Sequence, residues 1–227
     1  MGYIKPLLLS TSFILIHIIG SAQDSLKLMD HRFTVRFNVG YVNSKLYGSY
    51  VDRLLNANLQ SFPMAQKNAG GIETSFLVTA KLFKFASLKS GIGFTQQGGE
   101  ITHSPFVYPI DVKLNYLTIP LGVGFNTTMR KTNLAVEGGV QLAFEISSSQ
   151  DFRKGISNFY EQKNETTIPS YFLGGSLVHD INGAWGIEFS YRFVNAMKPF
   201  YTQEYLGQVR DMSTRAQSFS VGVIYGL

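Results

Sequence analysis

Between Val112 and Ser147 two runs of alternating residues face one another across a short polar turn. In the first run Leu117, Ile119, Leu121, Val123 and Phe125 share one parity, and Tyr116, Thr118, Gly122, Gly124 and Asn126 share the other. In the second, Leu134, Val136, Val140, Leu142, Phe144 and Ile146 alternate with Glu137, Gly139, Gln141, Ala143 and Glu145. A period of two belongs to a β-strand. The stretch therefore predicts a long antiparallel hairpin with one apolar face and one face of glycine, polar and acidic residues.

The same alternation recurs along the chain. Phe33, Val35, Phe37, Val39 and Tyr41 oppose Thr34, Arg36, Asn38 and Gly40, and Leu88, Ile92 and Phe94 oppose Lys89, Gly91, Gly93 and Thr95. A strand over Ile72–Leu82 carries Phe76, Val78, Ala80 and Leu82 on its apolar side. Trp185, Ile187, Phe189, Tyr191 and Phe193 oppose Gly186, Glu188, Ser190 and Arg192, and Phe219, Val221, Val223, Tyr225 and Leu227 oppose Ser218, Ser220, Gly222 and Gly226. A sixth strand is expected over Pro169–His179, although Phe172 and Val178 fall out of step with Tyr171, Leu173 and Leu177. Pro120 lacks a ladder donor, so a bulge or kink is expected there.

These readings give eight strands whose connections alternate long and short. The long ones are Asn43–Gly70, Gly98–Asp111, Ser148–Thr167 and Asn195–Thr214. In the first, Val51, Leu54, Leu55 and Leu59 recur at helical spacing, which predicts a short amphipathic helix packed on a rim. Asn182-Gly183 supplies a tight hairpin turn. With an even strand number and both termini on one side, every long connection falls at the opposite end. Short periplasmic turns and long extracellular loops are the asymmetry of a transmembrane β-barrel.

Export fits that reading. Lys5, the apolar run Leu7–Ile19 and the small residues Gly20, Ser21 and Ala22 predict a cleaved signal peptide over 1–22, leaving 23–227 as one barrel domain. The apolar run falls short of the ~20 residues that a spanning helix needs. With no cysteine, disulfide staples, thiolate metal sites and a cysteine nucleophile are excluded. The formal charge of +5 is scattered rather than striped, which argues for a basic headgroup-facing surface and against nucleic-acid binding.

Two face assignments compete. A soluble periplasmic barrel of the lipocalin type keeps its apolar residues inside around a ligand. A membrane barrel puts them outside. The polar parity here is rich in Gly, Ser and Thr with isolated charges, as suits a narrow interior, and aromatics (Phe33, Tyr41, Phe94, Tyr171, Trp185, Phe193, Tyr225) stand near strand ends, as interfacial girdles do. The membrane assignment is the expected one, with outer-membrane lipid as the partner of the apolar face.

Four segments, LKSGIGFTQQGGE, LNYLTIPLGVGFN, LAVEGGVQLAFEIS and SFSVGVIYGL, resemble the PorT-like outer-membrane β-barrel family of Gram-negative envelopes. The core Tyr116, Leu117, Ile119, Pro120 and Leu121 is the most specific of these. The resemblance implies an eight-stranded barrel in the outer membrane. Because the founding type is linked to protein secretion and gliding, it also implies an alternative role as a component of such a complex.

Little in the sequence points to catalysis. His17, His31, His103 and His179 form no metal-ligand spacing, and the pairs Gly98-Gly99 and Gly138-Gly139 precede no helix that would bind phosphate. Neither a cofactor nor a metal is expected. A lipid-modifying enzyme of the outer wall would need a converging Ser, His and acid, for which no motif stands in the chain. The candidate site is instead the inward-facing set Arg36, Lys89, Glu137, Glu145, Glu188 and Arg192. It reads as a salt-bridged plug or as an ion path. An unpaired buried carboxylate is costly, so Glu137 and Glu188 are expected to have basic or hydroxyl partners. Any binding activity, including envelope protein partners, is expected on the long loops of a non-enzymatic barrel.

Overall fold

The computed structural model describes residues 28, 31–56, 65–102, 110–150, 161–205 and 208–227. The expected signal peptide, His17 and His103 lie outside the described residues. In chain order the elements are β1 (Phe33–Tyr47), α1 (Ser49–Asn56), β2 (Ala65–Phe83), β3 (Ala86–Thr102), β4 (Ile110–Met129), β5 (Thr132–Gln150), β6 (Glu161–Asn164), β7 (Thr167–Asp180), β8 (Trp185–Ala196), β9 (Tyr201–Tyr205) and β10 (Gln208–Gly226). Strands β1, β2, β3, β4, β5, β7, β8 and β10 pair antiparallel in that order, and β10 pairs with β1 from Thr34↔Gly226 to Tyr47↔Ser213. The sheet closes on itself and this ring has no free edge. The fold is an all-β, eight-stranded, up-and-down barrel. At one end β9 pairs with the first rows of β10 and β6 pairs with β9, forming a small flap.

The other end carries tight turns. Arg130 takes a left-handed conformation at φ 56° between β4 and β5. Between β7 and β8, Gly183 does so at φ 81°, its N–H donates to Asp180 Oδ1 at 2.6 Å, and the Trp185 N–H donates to Asn182 Oδ1 at 2.8 Å. Chain from before β1 closes this mouth. Leu28 is fully buried against Val178 and Ile224, and its N–H donates to Asp180 Oδ2 at 2.9 Å. The His31 ring reaches the carbonyls of Gly183 and Leu227.

Side-chain polarity inverts along the strands. Over Phe33–Tyr41 of β1 the odd residues are outside and apolar, whereas Thr34, Arg36 and Asn38 are buried inside. Three rows further the same parities reverse in character: Val42 and Leu46 are buried inside, and Asn43 and Lys45 stand outside. Strand β4 repeats the switch, with Leu117–Phe125 apolar outside, then Val112 and Leu114 buried inside opposite an exposed Lys113. Strand β10 does so between Phe219 and Gln217. The apolar outer belt spans about nine residues per strand, near the 9–11 that a tilted strand needs to cross a bilayer. A lipocalin-type assignment with apolar residues inside is not what the structure shows over this belt.

Several expected boundaries move for this reason. The alternation of apolar and polar residues ends near Tyr41, but the ladder does not, so β1 continues to Tyr47. The expected loops over 148–167 and 195–214 contain β6, β9 and the start of β10. Phe172 and Val178 are out of step because both point inward and are 1% exposed. Pro120 produces neither a bulge nor a shift: the β3–β4 ladder runs Ser90↔Leu121 then Gly93↔Thr118 in one register, with an interruption between. Register shifts fall instead at Asn115/Tyr116, between Asn68 and Glu73, and at Lys81/Phe83 beside the β2–β3 turn.

Beyond the belt the barrel encloses an apolar core of Leu46, Ile101, Val112, Leu114, Tyr116, Ile168, Phe200, Tyr201 and Met212, capped by Val51 of α1. The amphipathic helix packs on the rim, with Tyr50 and Leu55 also against this core. Its start is clamped to β10: the Ser49 N–H donates to Asp211 Oδ1 at 2.8 Å, the Ser49 hydroxyl donates to the same oxygen, and the Asp211 N–H donates to Ser49 Oγ at 2.9 Å. These bonds hold the Asp211 carboxyl below its ordinary 3.8. A carboxyl depressed on folding stabilises at pH above its unfolded value, and the contribution is lost as pH falls through the folded value. The protection of the α1 amides, taken relative to their intrinsic exchange at each pH, should therefore be level at neutral pH and fall as the pH drops through the depressed value of Asp211, below 3.8. In Asp211→Asn the exchange should be fast throughout, and equal protection in both proteins would refute the clamp.

Candidate functional site

The interior of the belt holds three cations and three carboxylates on five strands. Arg36 of β1 contacts Glu188 of β8 at 2.5 Å, with both side chains buried. Lys89 of β3 pairs with Glu137 of β5. Arg192 of β8 donates to the other oxygen of Glu137 at 3.2 Å and lies 3.8 Å from Glu73 of β2. Glu137 thus bridges two cations, and Arg192 bridges two carboxylates. The Arg192 guanidinium also sits 4.9 Å from the centre of the Phe172 ring, a cation–π contact.

Glycine makes room for these long side chains. Glu137 stands between Gly124 and Gly174 in the ladder, and Gly174 is in turn the partner of Arg192. Lys89 is opposite Gly122, and Glu188 is opposite Gly222. A Cβ on Gly122 would lie 2.6 Å from Phe172, and one on Gly222 would collide with Asn38. An eight-stranded interior has room only for packed side chains, and here every charged residue of the cluster but Arg36, which stands between Leu77 and Ile224, is set against a missing one. Among the described residues, the voids beside these pairs are small. The void beside Glu73 and Arg192 is about 10 Å³ and that beside Arg36 about 30 Å³, room for about one water each.

Of the residues singled out in the sequence, Arg36, Lys89, Glu137, Glu188 and Arg192 converge. Glu145 does not join them. It stands opposite Tyr116 at the loop-side limit of the belt, next to the bulge, half-buried and in no ion pair among the described residues. Glu73 was missing from the sequence set. Its parity with Ser75, Leu77 and Thr79 was the available signal, obscured because the β2 bulge interrupts the alternation just before it. No group of three or more His, Asp or Glu able to hold a metal stands among the described residues. His179 pairs with Ile187, one row from Glu188, but stands exposed on the outer wall, and His31 sits at the turn mouth on the carbonyls of Gly183 and Leu227, so no serine–histidine–acid set forms in the described interior.

A pore would need a continuous water path. Among the described residues the interior is instead filled from end to end: by Leu28, Val178 and Ile224 beside and below the Arg36–Glu188 pair, by the other ion pairs, by Val42, Phe172, Val194 and Ala216, and by the loop-end core.

No protein-family model and no curated protein matches the sequence. Among solved structures, the fold is similar to the outer membrane protein OprG from Pseudomonas aeruginosa, at 6% identity and a TM-score of 0.50, covering 87% of this chain and 97% of that one. Neisserial surface protein A matches at 13% identity and 0.48 over 86% and 97% of the two chains. The attachment invasion locus protein Ail of Yersinia pestis matches at 12% and 0.40 over 85% and 98%. At such identity the likeness to OprG speaks for the barrel fold alone.

Proposed function

We propose that the chain is a non-enzymatic outer-membrane barrel, exported by a cleaved signal peptide over 1–22, closed to ions, whose binding or structural role is carried at its extracellular loop end. The observation that carries this reading is the inversion of polarity along β1, β4 and β10. A water-soluble barrel has no reason to reverse its faces two-thirds of the way up a strand. A bilayer boundary supplies one, because outer side chains meet hydrocarbon below it and water above. The buried ion pairs then act as a plug that fixes the barrel from within.

Migration on a denaturing gel, unheated and boiled, with membrane fractionation, tests the location: a faster unheated band in the outer-membrane fraction is expected. Soluble periplasmic protein without a heat shift would refute it. Reconstituted into planar bilayers, the protein should show no stable open channel, since the interior voids are water-sized. A steady conductance abolished by Glu188→Gln would sink the plug and favour an ion path.

The resemblance of Tyr116, Leu117, Ile119, Pro120 and Leu121 to PorT-like barrels supports a second reading, a structural component of a secretion or gliding assembly. Stoichiometric envelope partners recovered with the protein would favour that role over a solitary barrel.

A further inference from the structure

The outer wall over β8, β10 and β1 changes character row by row toward the loop end. Val221, Phe189 and Val39 form one row, Phe219, Tyr191 and Tyr41 the next, Gln217, Phe193 and Asn43 the third, and Arg215, Asn195 and Lys45 the fourth. In the fourth row Lys45 and Arg215 are direct partners across the β1–β10 ladder. Like charges placed directly opposite destabilise a strand pair. No carboxylate occurs in these segments of the three strands, and neither cation has a carboxylate partner among the described residues. The Arg215 guanidinium is nonetheless held in place. Its Nε donates to Asn195 Oδ1 at 3.0 Å, and it lies 5.2 Å over Tyr47 and 5.8 Å over Phe193.

Directly below, the first two rows line an open apolar groove of about 870 Å³ whose walls include Val39, Tyr41, Phe189, Tyr191, Phe219 and Val221. Tyr41 leans over Gly70, where a Cβ would lie 2.8 Å from its hydroxyl. At the far side of the groove Gly175 leaves the floor open, a Cβ there meeting only the Ala135 carbonyl at 3.4 Å.

We propose that this wall binds a phosphorylated glycolipid of the membrane leaflet at the loop end, its phosphate on Lys45 and Arg215, its sugar on Asn43, Gln217 and Asn195, and an acyl chain in the groove. The inference rests on the membrane-barrel reading. Three chemistries are stacked in the order such a molecule presents them. Two adjacent cations, one of them held in place, suit an anion, and phosphate accepts charge-assisted hydrogen bonds from guanidinium and ammonium together. Amides both donate and accept, as sugar hydroxyls require. The groove is apolar and lies on the hydrocarbon side of the amides.

The full chain in non-ionic detergent, assayed by the temperature at which its fast-migrating unheated band is lost, tests this. Diphosphorylated lipid A should raise that temperature at concentrations where phosphatidylglycerol, phosphatidylcholine and inorganic phosphate do not, since a ligand of the folded state stabilises it. In Lys45→Gln/Arg215→Gln the concentration needed should rise roughly tenfold or more, as loss of charge-assisted bonds implies, while the band itself remains. An unchanged response in the double variant, or an equal response to phosphatidylcholine, overturns the site. An equal response to phosphatidylglycerol overturns the sugar contacts, and therefore the glycolipid. If no fast-migrating band exists at all, the barrel reading fails, and the site with it.

Discussion

Replacing Glu137 with alanine should cost about 3–5 kcal/mol of barrel stability, the penalty of leaving buried charge without its partner. Glu137 is 7% exposed and, among the described residues, is the one carboxylate in ion-pair contact with two cations, Lys89 and Arg192. Removing it leaves three cations facing Glu73 and Glu188, with Lys89 contacting neither within ion-pair distance. The low dielectric that strengthens the pairs also makes the orphaned ammonium expensive. Urea unfolding of the barrel in lipid vesicles measures the loss. A second variant, Lys89→Met with Glu137→Gln, removes both charges of one pair, and Arg192 keeps Glu73. It should recover most of the stability, because a buried pair exchanged for neutral groups of similar size is often nearly neutral. If Glu137→Ala falls within about 0.5 kcal/mol of the unchanged protein, the size of an ordinary surface substitution, the interior is wet and the ion pairs are not what fixes it.

The barrel itself was legible in the sequence because a strand exposed to two different media writes them alternately along the chain. Phe33–Tyr41 and Trp185–Phe193 show it directly, and each is wholly within the apolar belt. Legibility failed where the media change. Past Tyr41, Val42 and Leu46 face an apolar core and Lys45 faces water, so the hydrophobic parity switches and the segment looks irregular although the hydrogen-bond ladder is continuous. The flap strands β6 and β9 were hidden for a different reason. They are four and five residues long, and their partners are set by the fold-back of the chain over the barrel, not by a local period.

For the interior cluster, parity found Arg36, Lys89, Glu137, Glu188 and Arg192 because each lies in an unbroken alternating run. Which cation meets which carboxylate was not legible. Arg36 and Glu188 are separated by the whole of β10 in the ring, and their contact depends on the long reach of both side chains across Gly222 and on the height that the strand stagger gives them. Glu145 shows the limit from the other side. It has the right parity for the interior, yet its row lies beyond the charged layers, level with Tyr116, where the enclosed space is already becoming apolar.

The boundary that misled the strand assignments can be measured, and its effect should be the second largest here. On β4 the outward parity runs Lys113, Asn115, Leu117, Ile119, Leu121, Val123, Phe125, so one face of one strand passes from water to the middle of the belt. Leu121 is half exposed on the outer wall at the centre of that run. Leu121→Arg should destabilise the protein in a bilayer by about 2–4 kcal/mol, the cost of a cation at the midplane of a barrel's lipid face, and Asn115→Arg by about 0–1 kcal/mol, the cost near the interface. Neither substitution touches the interior, and Lys113 shows that the wall two residues from Asn115 already bears a cation. Asn115→Arg also gives up the hydrogen bond that Asn115 Nδ2 donates to Ser147 Oγ at 2.9 Å, so each arginine is compared with alanine at the same position, and the difference between the two comparisons reports depth. It should shrink in detergent solution, where the micelle deforms around the charge, and persist in vesicles. Equal costs at both positions would mean that no hydrocarbon layer ends between Asn115 and Leu121, and that the reversal of faces has another origin.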